Sequence, residues 1–219
     1  MKPLRFTLAG VSIQVHWLFF LVVALLGRTY DIRILILWIG IVFVSVLLHE
    51  MGHALVGRRY GMHPEILLYA MGGLTSWRTG RRLTRAQSIL VSVAGPCAGL
   101  LLGTAVWGIT LIEMPDLNPL GRIALDDLLR VNIFWSVLNL LPILPLDGGN
   151  VMRSLVHISR GGVDERLPRQ ISIAFAAAGA VAGFLYGWTF AAIFGAYLGF
   201  SNYQALRGMP MPGFPGMRR

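Results

Sequence analysis

His49-Glu50-Met51-Gly52-His53 sets two imidazoles and a carboxylate close to the end of a long apolar run. On a helix, His49 and His53 project from nearly the same face one turn apart, so both can reach one metal ion. Zinc accepts imidazole nitrogen readily, and a hydrolytic site keeps one position for a water whose pKa falls to about 7. Glu50, beside the pair, is then the group to take a proton. A shuffled chain with the same His and Glu content would contain HExxH roughly once in six hundred tries, so chance accounts for it poorly. The structural alternative is a pair of helix-end histidines satisfied by hydrogen bonds, but ionisable groups at membrane depth are functional by default.

A second carboxylate answers to the first group. The apolar run that ends near Asn139 is broken by Pro142 and Pro145 and followed by Asp147-Gly148-Gly149. An interrupted span is tolerated only where it lines a protein-enclosed or water-filled cavity, so Asp147 needs a partner there, and the metal is the candidate. His49, His53 and Asp147 supply two nitrogens and an oxygen, with one position open and Glu50 as base. A divalent cation with the Asp147 and Glu50 carboxylates sums to zero charge, which removes most of the cost of burying each alone.

The elements that must position these groups are membrane helices. With 219 residues, 55% of them hydrophobic and 13% charged, and a mean hydropathy of +0.65, the composition is that of a compact polytopic membrane protein. The net charge of +9 lies in the loops between apolar spans, so it reads as a topology determinant, and no nucleic-acid partner is expected. Cys97 is the single cysteine, which excludes an intramolecular disulfide and a thiolate cluster. Lys2 and Arg5 precede an apolar stretch without a small-x-small cleavage site, so a retained first span is expected.

Spans are expected at residues 14–27, 35–57, 86–112, 123–141, 170–187 and 189–206, with a short surface helix over 151–159 that leaves His157 solvated. His16 reads as an interfacial histidine and His63 as a loop histidine. Asp126 and Asp127 stand at helical spacing from Arg130, a structural pairing. Residues 66–71 and 74–77, separated by Gly72-Gly73, read as a hairpin. Its edge either holds an extended peptide by strand addition or is a plain interfacial hairpin. The fold class is therefore an all-α polytopic membrane protein, with about six transmembrane helices and a small membrane-associated β-hairpin. Residues 1–207 form one domain and 208–219 a flexible tail. Six spans put fifteen Lys and Arg on one side and three on the other, so both termini and the motif end of the second span are expected in the cytoplasm.

His49-Glu50-Met51-Gly52-His53 together with Asn139-Leu140-Leu141-Pro142-Ile143-Leu144-Pro145-Leu146-Asp147-Gly148-Gly149 resembles the site-2 protease family of intramembrane metalloproteases, which pairs HExxH with a distant LDG segment. The resemblance covers essentially the whole chain. It implies one zinc ion held by His49, His53 and Asp147, Glu50 as general base, and Asn139 near the active site, helping to stabilise an oxyanion. It also implies a hairpin after the motif helix and lateral entry of a substrate helix, which must unwind locally because a helix hides its carbonyls. The substrate implied is a single-pass membrane protein in the lipid bilayer, such as an anti-sigma factor or a remnant signal peptide, and the setting is a bacterial or archaeal cell membrane. One position departs: the family's AGPxxN appears as Ala94-Gly95-Pro96-Cys97-Ala98-Gly99. With no PDZ-like or CBS-like segment read, the chain looks like a minimal member. The other readings are a membrane-anchored zincin acting on cytosolic domains, which needs a larger soluble region, and a non-catalytic metal-binding scaffold or transporter, which has no need of Glu50.

Overall fold

Val11-Ser12-Ile13-Gln14-Val15 alternates apolar and polar residues with the period of a half-buried strand. In the computed structural model this stretch is β2 (Val11–Val15), with Val11, Ile13 and Val15 buried. The structure describes residues 3–27, 29, 31–78, 82–112 and 117–209; Lys2, Arg28, Arg81 and the tail from 210 onward lie outside them. Strand β2 belongs to a four-stranded sheet in the order β1-β2-β3-β4, with β1 Leu4–Leu8, β3 Pro64–Tyr69 and β4 Gly72–Trp77. The expected hairpin is thus half of a larger sheet. Ala9 and Gly10, at φ 48° and 74°, make the two-residue turn between β1 and β2, the positive-φ geometry that matches strand twist.

Strands β2 and β3 pair in parallel, Ser12 against Glu65 through Val15 against Leu68. Parallel neighbours need a crossover. Here it consists of α1 (Trp17–Leu26) and α2 (Ile32–Arg59). The apolar run over 14–27 is therefore not one span. Gln14 and Val15 belong to β2, and His16 caps α1, its Nδ1 accepting the Leu18 N–H at 3.3 Å. Ten helical residues reach only about 15 Å. By contrast, the 28 residues of α2 reach about 42 Å. The turn of the β3–β4 hairpin is Ala70-Met71, with Tyr69 paired to Gly72. Gly72 and Gly73 lie within β4 instead of forming the turn, and Trp135 and Glu50 pack where their side chains would be.

The chain divides into two compact units, Met1–Arg82 with Ala94–Val137, and Leu83–Val93 with Leu138–Arg219. In the first, Ile13, Ile66 and Leu68 of the sheet pack with Phe19 and Val23 of α1 and Val46 and Ala54 of α2. The helix α3 (Arg85–Thr110) contains Pro96 and approaches α2 closely at Gly52, where a Cβ would lie 2.5 Å from the Ala94 carbonyl oxygen. From α4 (Pro119–Asn139), Asn132 Nδ2 donates to Ser45 Oγ at 2.9 Å, both residues buried. Arg130 Nη2 stands 3.8 Å from Asp126, one of its two expected partners.

The second unit holds α5 (Asp147–Arg160), α6 (Arg166–Leu185) and α7 (Thr189–Leu206). Small residues let α6 and α7 meet backbone to backbone: a Cβ on Gly195 would lie 2.9 Å from the Ala176 carbonyl oxygen. His157 of α5 is buried, against the solvated position expected of it. Arg85 Nη1 donates to its Nδ1 at 2.6 Å, and its Nε2 lies 3.2 Å from the Asp164 carbonyl oxygen. Among the described residues α2, α3 and α6 are long and apolar enough to cross a membrane.

Candidate metal centre

The last turns of α2 carry the motif. His49 and His53 are buried, with their Nε2 atoms 3.2 Å apart, ring centroids 4.9 Å apart and planes at 79°. Two nitrogens bound to one tetrahedral ion at 2.0–2.1 Å lie about 3.3 Å from each other. The pair therefore has the bite of a zinc site, and neutral imidazole nitrogen is a donor that zinc favours. The neighbouring helix preserves that geometry. A Cβ on Gly95 would overlap His53 Nε2, so glycine at this position of α3 is what admits the imidazole.

Glu50, one residue on and about 100° around the helix, faces the sheet. Its carboxylate is 6% exposed by residue, and Thr75 Oγ1 of β4 donates to Oε2 at 2.6 Å. Gly73 lies on the same face of β4 two residues earlier, and a Cβ there would fall against Oε1. At the other end of the strand the Trp77 ring occupies the place a Gly57 side chain would take. Strand β4 thus runs along the last two turns of α2, from the carboxylate to the helix end. It pairs with β3 on one side, and no strand among the described residues pairs with its other edge.

In the second unit, Asp147 is the first residue of α5 and partly buried. The chain reaches it through a loop pinned from two helices: Leu144 N–H donates to Ser172 Oγ at 3.0 Å, and Asn202 Nδ2 donates to the Leu144 carbonyl at 2.6 Å. Gly148 and Gly149 are buried against the backbone of residues 140–144, where no Cβ fits, which explains both glycines after the aspartate. Asn139 is the last residue of α4.

The sequence reading missed Thr75, Gly73 and Gly95. Period-2 spacing within the expected hairpin was the available signal for the first two, since it puts residues 73 and 75 on one face. Gly99, at the departure from AGPxxN, lies against Ser136 Oγ of α4, which fills the space a side chain would need.

Residues 37–116, from α2 through the hairpin to α3 and beyond, match the family model described as Peptidase family M50. Over these residues the chain is similar to peptidase family M50. The M50 match contains His49, Glu50, His53, Thr75 and Gly95. Among relatives, the zinc metalloprotease MJ0392 of Methanocaldococcus jannaschii is 28% identical over 160 residues, which is 71% of this chain and 46% of that protein. Rip3 of Mycobacterium tuberculosis is 28% identical over 224 residues, covering 91% of this chain and 56% of that one. The chain thus spans about half the length of these relatives. The solved site-2 protease from M. jannaschii superposes with a TM-score of 0.60 at 23% identity, over 93% of this chain and 94% of that one, so the fold is shared.

Proposed function

We propose that this chain is an intramembrane zinc metalloprotease, hydrolysing peptide bonds within or near the spans of single-pass membrane proteins in regulated intramembrane proteolysis. The observation that carries the reading is a buried carboxylate, Glu50, next to two imidazoles whose Nε2 atoms converge, beside a sheet edge that no strand among the described residues pairs. His49, His53 and Asp147 would hold one zinc ion. Bound there, it would supply the Lewis acidity that acidifies water and polarises a peptide carbonyl.

The chain's own groups do the rest. An extended segment of the substrate adds to the free edge of β4, so its carbonyls are exposed where a helix would hide them. Glu50 takes a proton from the attacking water and returns it to the leaving amine nitrogen as the C–N bond breaks. Asn139, at the end of α4, donates to the oxygen on which charge develops. Residues 1–207 form one domain, with both termini and the motif end of α2 in the cytoplasm of a bacterial or archaeal cell. The positive-inside count supports that orientation. Glu50 lies eight residues before Arg58, about 12 Å along the helix, a depth that suits cleavage inside the bilayer near its cytoplasmic surface.

The test is paired measurement of zinc content and cleavage in the wild type and Glu50→Gln, using a co-reconstituted single-pass protein with and without a helix-breaking residue in its span. Glu50→Gln retains zinc while cleavage falls by about 10² to 10⁴-fold. Zinc retention with wild-type cleavage would instead favour a non-catalytic metal-binding scaffold at these residues or a second catalytic site elsewhere.

A further inference from the structure

In the reaction proposed above Glu50 moves a proton, and the groups that fix its carboxylate come from β4. Thr75 Oγ1 lies 2.6 Å from Glu50 Oε2 and 3.2 Å from the Glu50 carbonyl oxygen. A hydroxyl has one proton to donate, and the shorter contact to the charged acceptor takes it. Gly73 leaves the flank of Oε1 without a side chain. Thr75 is itself fixed by the sheet, opposite the fully buried Ile66 in the β3–β4 ladder.

We propose that Thr75 is a positioning residue for Glu50. Its hydroxyl engages Oε2, so Oε1 is the atom that receives the water proton and delivers it to the amine nitrogen. The Thr75 proton stays on Oγ1 throughout, and Glu50 ends the cycle as it began. Because Thr75 belongs to the edge strand, docking of an extended peptide on β4 and orientation of the base are coupled through a single residue. The inference rests on the protease reading, and its test separates the two.

Thr75→Val keeps the side-chain shape and removes the hydroxyl, and Thr75→Ser restores it. The full chain is reconstituted in lipid vesicles with a designed single-pass protein carrying Asn-Gly at mid-span as the probe. Independently of cleavage, the Glu50 carboxylate stretch is isolated by infrared difference against Glu50→Gln. Thr75→Val is expected to retain wild-type zinc content, shift the Glu50 band, and lower kcat about 10- to 100-fold with KM within about twofold, the loss of one hydrogen bond to a charged group. Thr75→Ser recovers both band and kcat. An unchanged Glu50 band in Thr75→Val overturns the proposal whether or not the probe is cut. Wild-type kcat in Thr75→Val, with Glu50→Gln inactive, removes Thr75 alone; wild-type cleavage by Glu50→Gln removes the protease reading and this one together.

Discussion

Gly95 is the residue at which a single methyl group has the largest expected effect on the centre. A Cβ would overlap His53 Nε2, so either the imidazole leaves its place 3.2 Å from His49 Nε2 or the two helices move apart. Gly95→Ala is therefore expected to weaken zinc binding by about 10- to 100-fold, the range seen when groups that orient a metal ligand are disturbed, and to cost about 1–3 kcal/mol from overpacking. Competition with a chromophoric chelator reads the first and thermal denaturation in detergent the second; zinc affinity equal to the wild type's would show that His53 is not held by this contact. Asp147→Ala is expected to lose bound zinc as His49→Ala does, measured by metal analysis of the purified variants. Full occupancy in the Asp147 variant would strike that residue from the ligand set. These histidines and carboxylates were legible in the sequence because their spacing is a property of one helix or one short loop. Thr75, Gly73 and Gly95 were not, because each matters through a neighbour that is distant along the chain.

Buried polar pairs tie the helices together, and their removal is a test at the scale of elements. Asn132 of α4 donates to Ser45 of α2 at 2.9 Å with both residues about fully buried. Asn132→Ala is expected to lower stability by about 0.6–1.7 kcal/mol, the range for interhelical hydrogen bonds in membranes. A double-mutant cycle with Ser45→Ala isolates the pair, and a coupling of zero would mean that packing alone holds α4 there. In the second unit His157 receives the Arg85 guanidinium and faces the Asp164 carbonyl, so the tautomer is fixed with its proton on Nε2. Six of the seven helices among the described residues were legible near their final positions because apolar length and proline breaks are local signals. It merged a strand with a short helix at residues 14–27, where an apolar run continues through both, although the alternation over 11–15 was present. It also left His157 in solvent, since its partner Arg85 is 72 residues away.

For the whole chain, the distribution of basic residues gives a prediction about orientation. In a Cys97→Ser background, which removes the exposed native thiol, single cysteines at Arg59 and Arg160 are expected to react with an impermeant reagent only from the cytoplasmic side, and one at Arg122 only from outside. Labelling of Arg160→Cys from outside would overturn this orientation. The parallel pairing of β2 with β3 bears on how such a chain is made. The ribosome delivers β2 some fifty residues before β3, and in that interval α1 and α2 must leave the sheet and come back to it. Until they do, β2 presents a hydrogen-bonding edge with nothing to close it, in a nascent chain that is still being inserted. Completion of the sheet thus requires α1 and α2 to bring the chain back to the side it left, and a chain in which they do not would display an open strand edge, the kind of surface that invites aggregation.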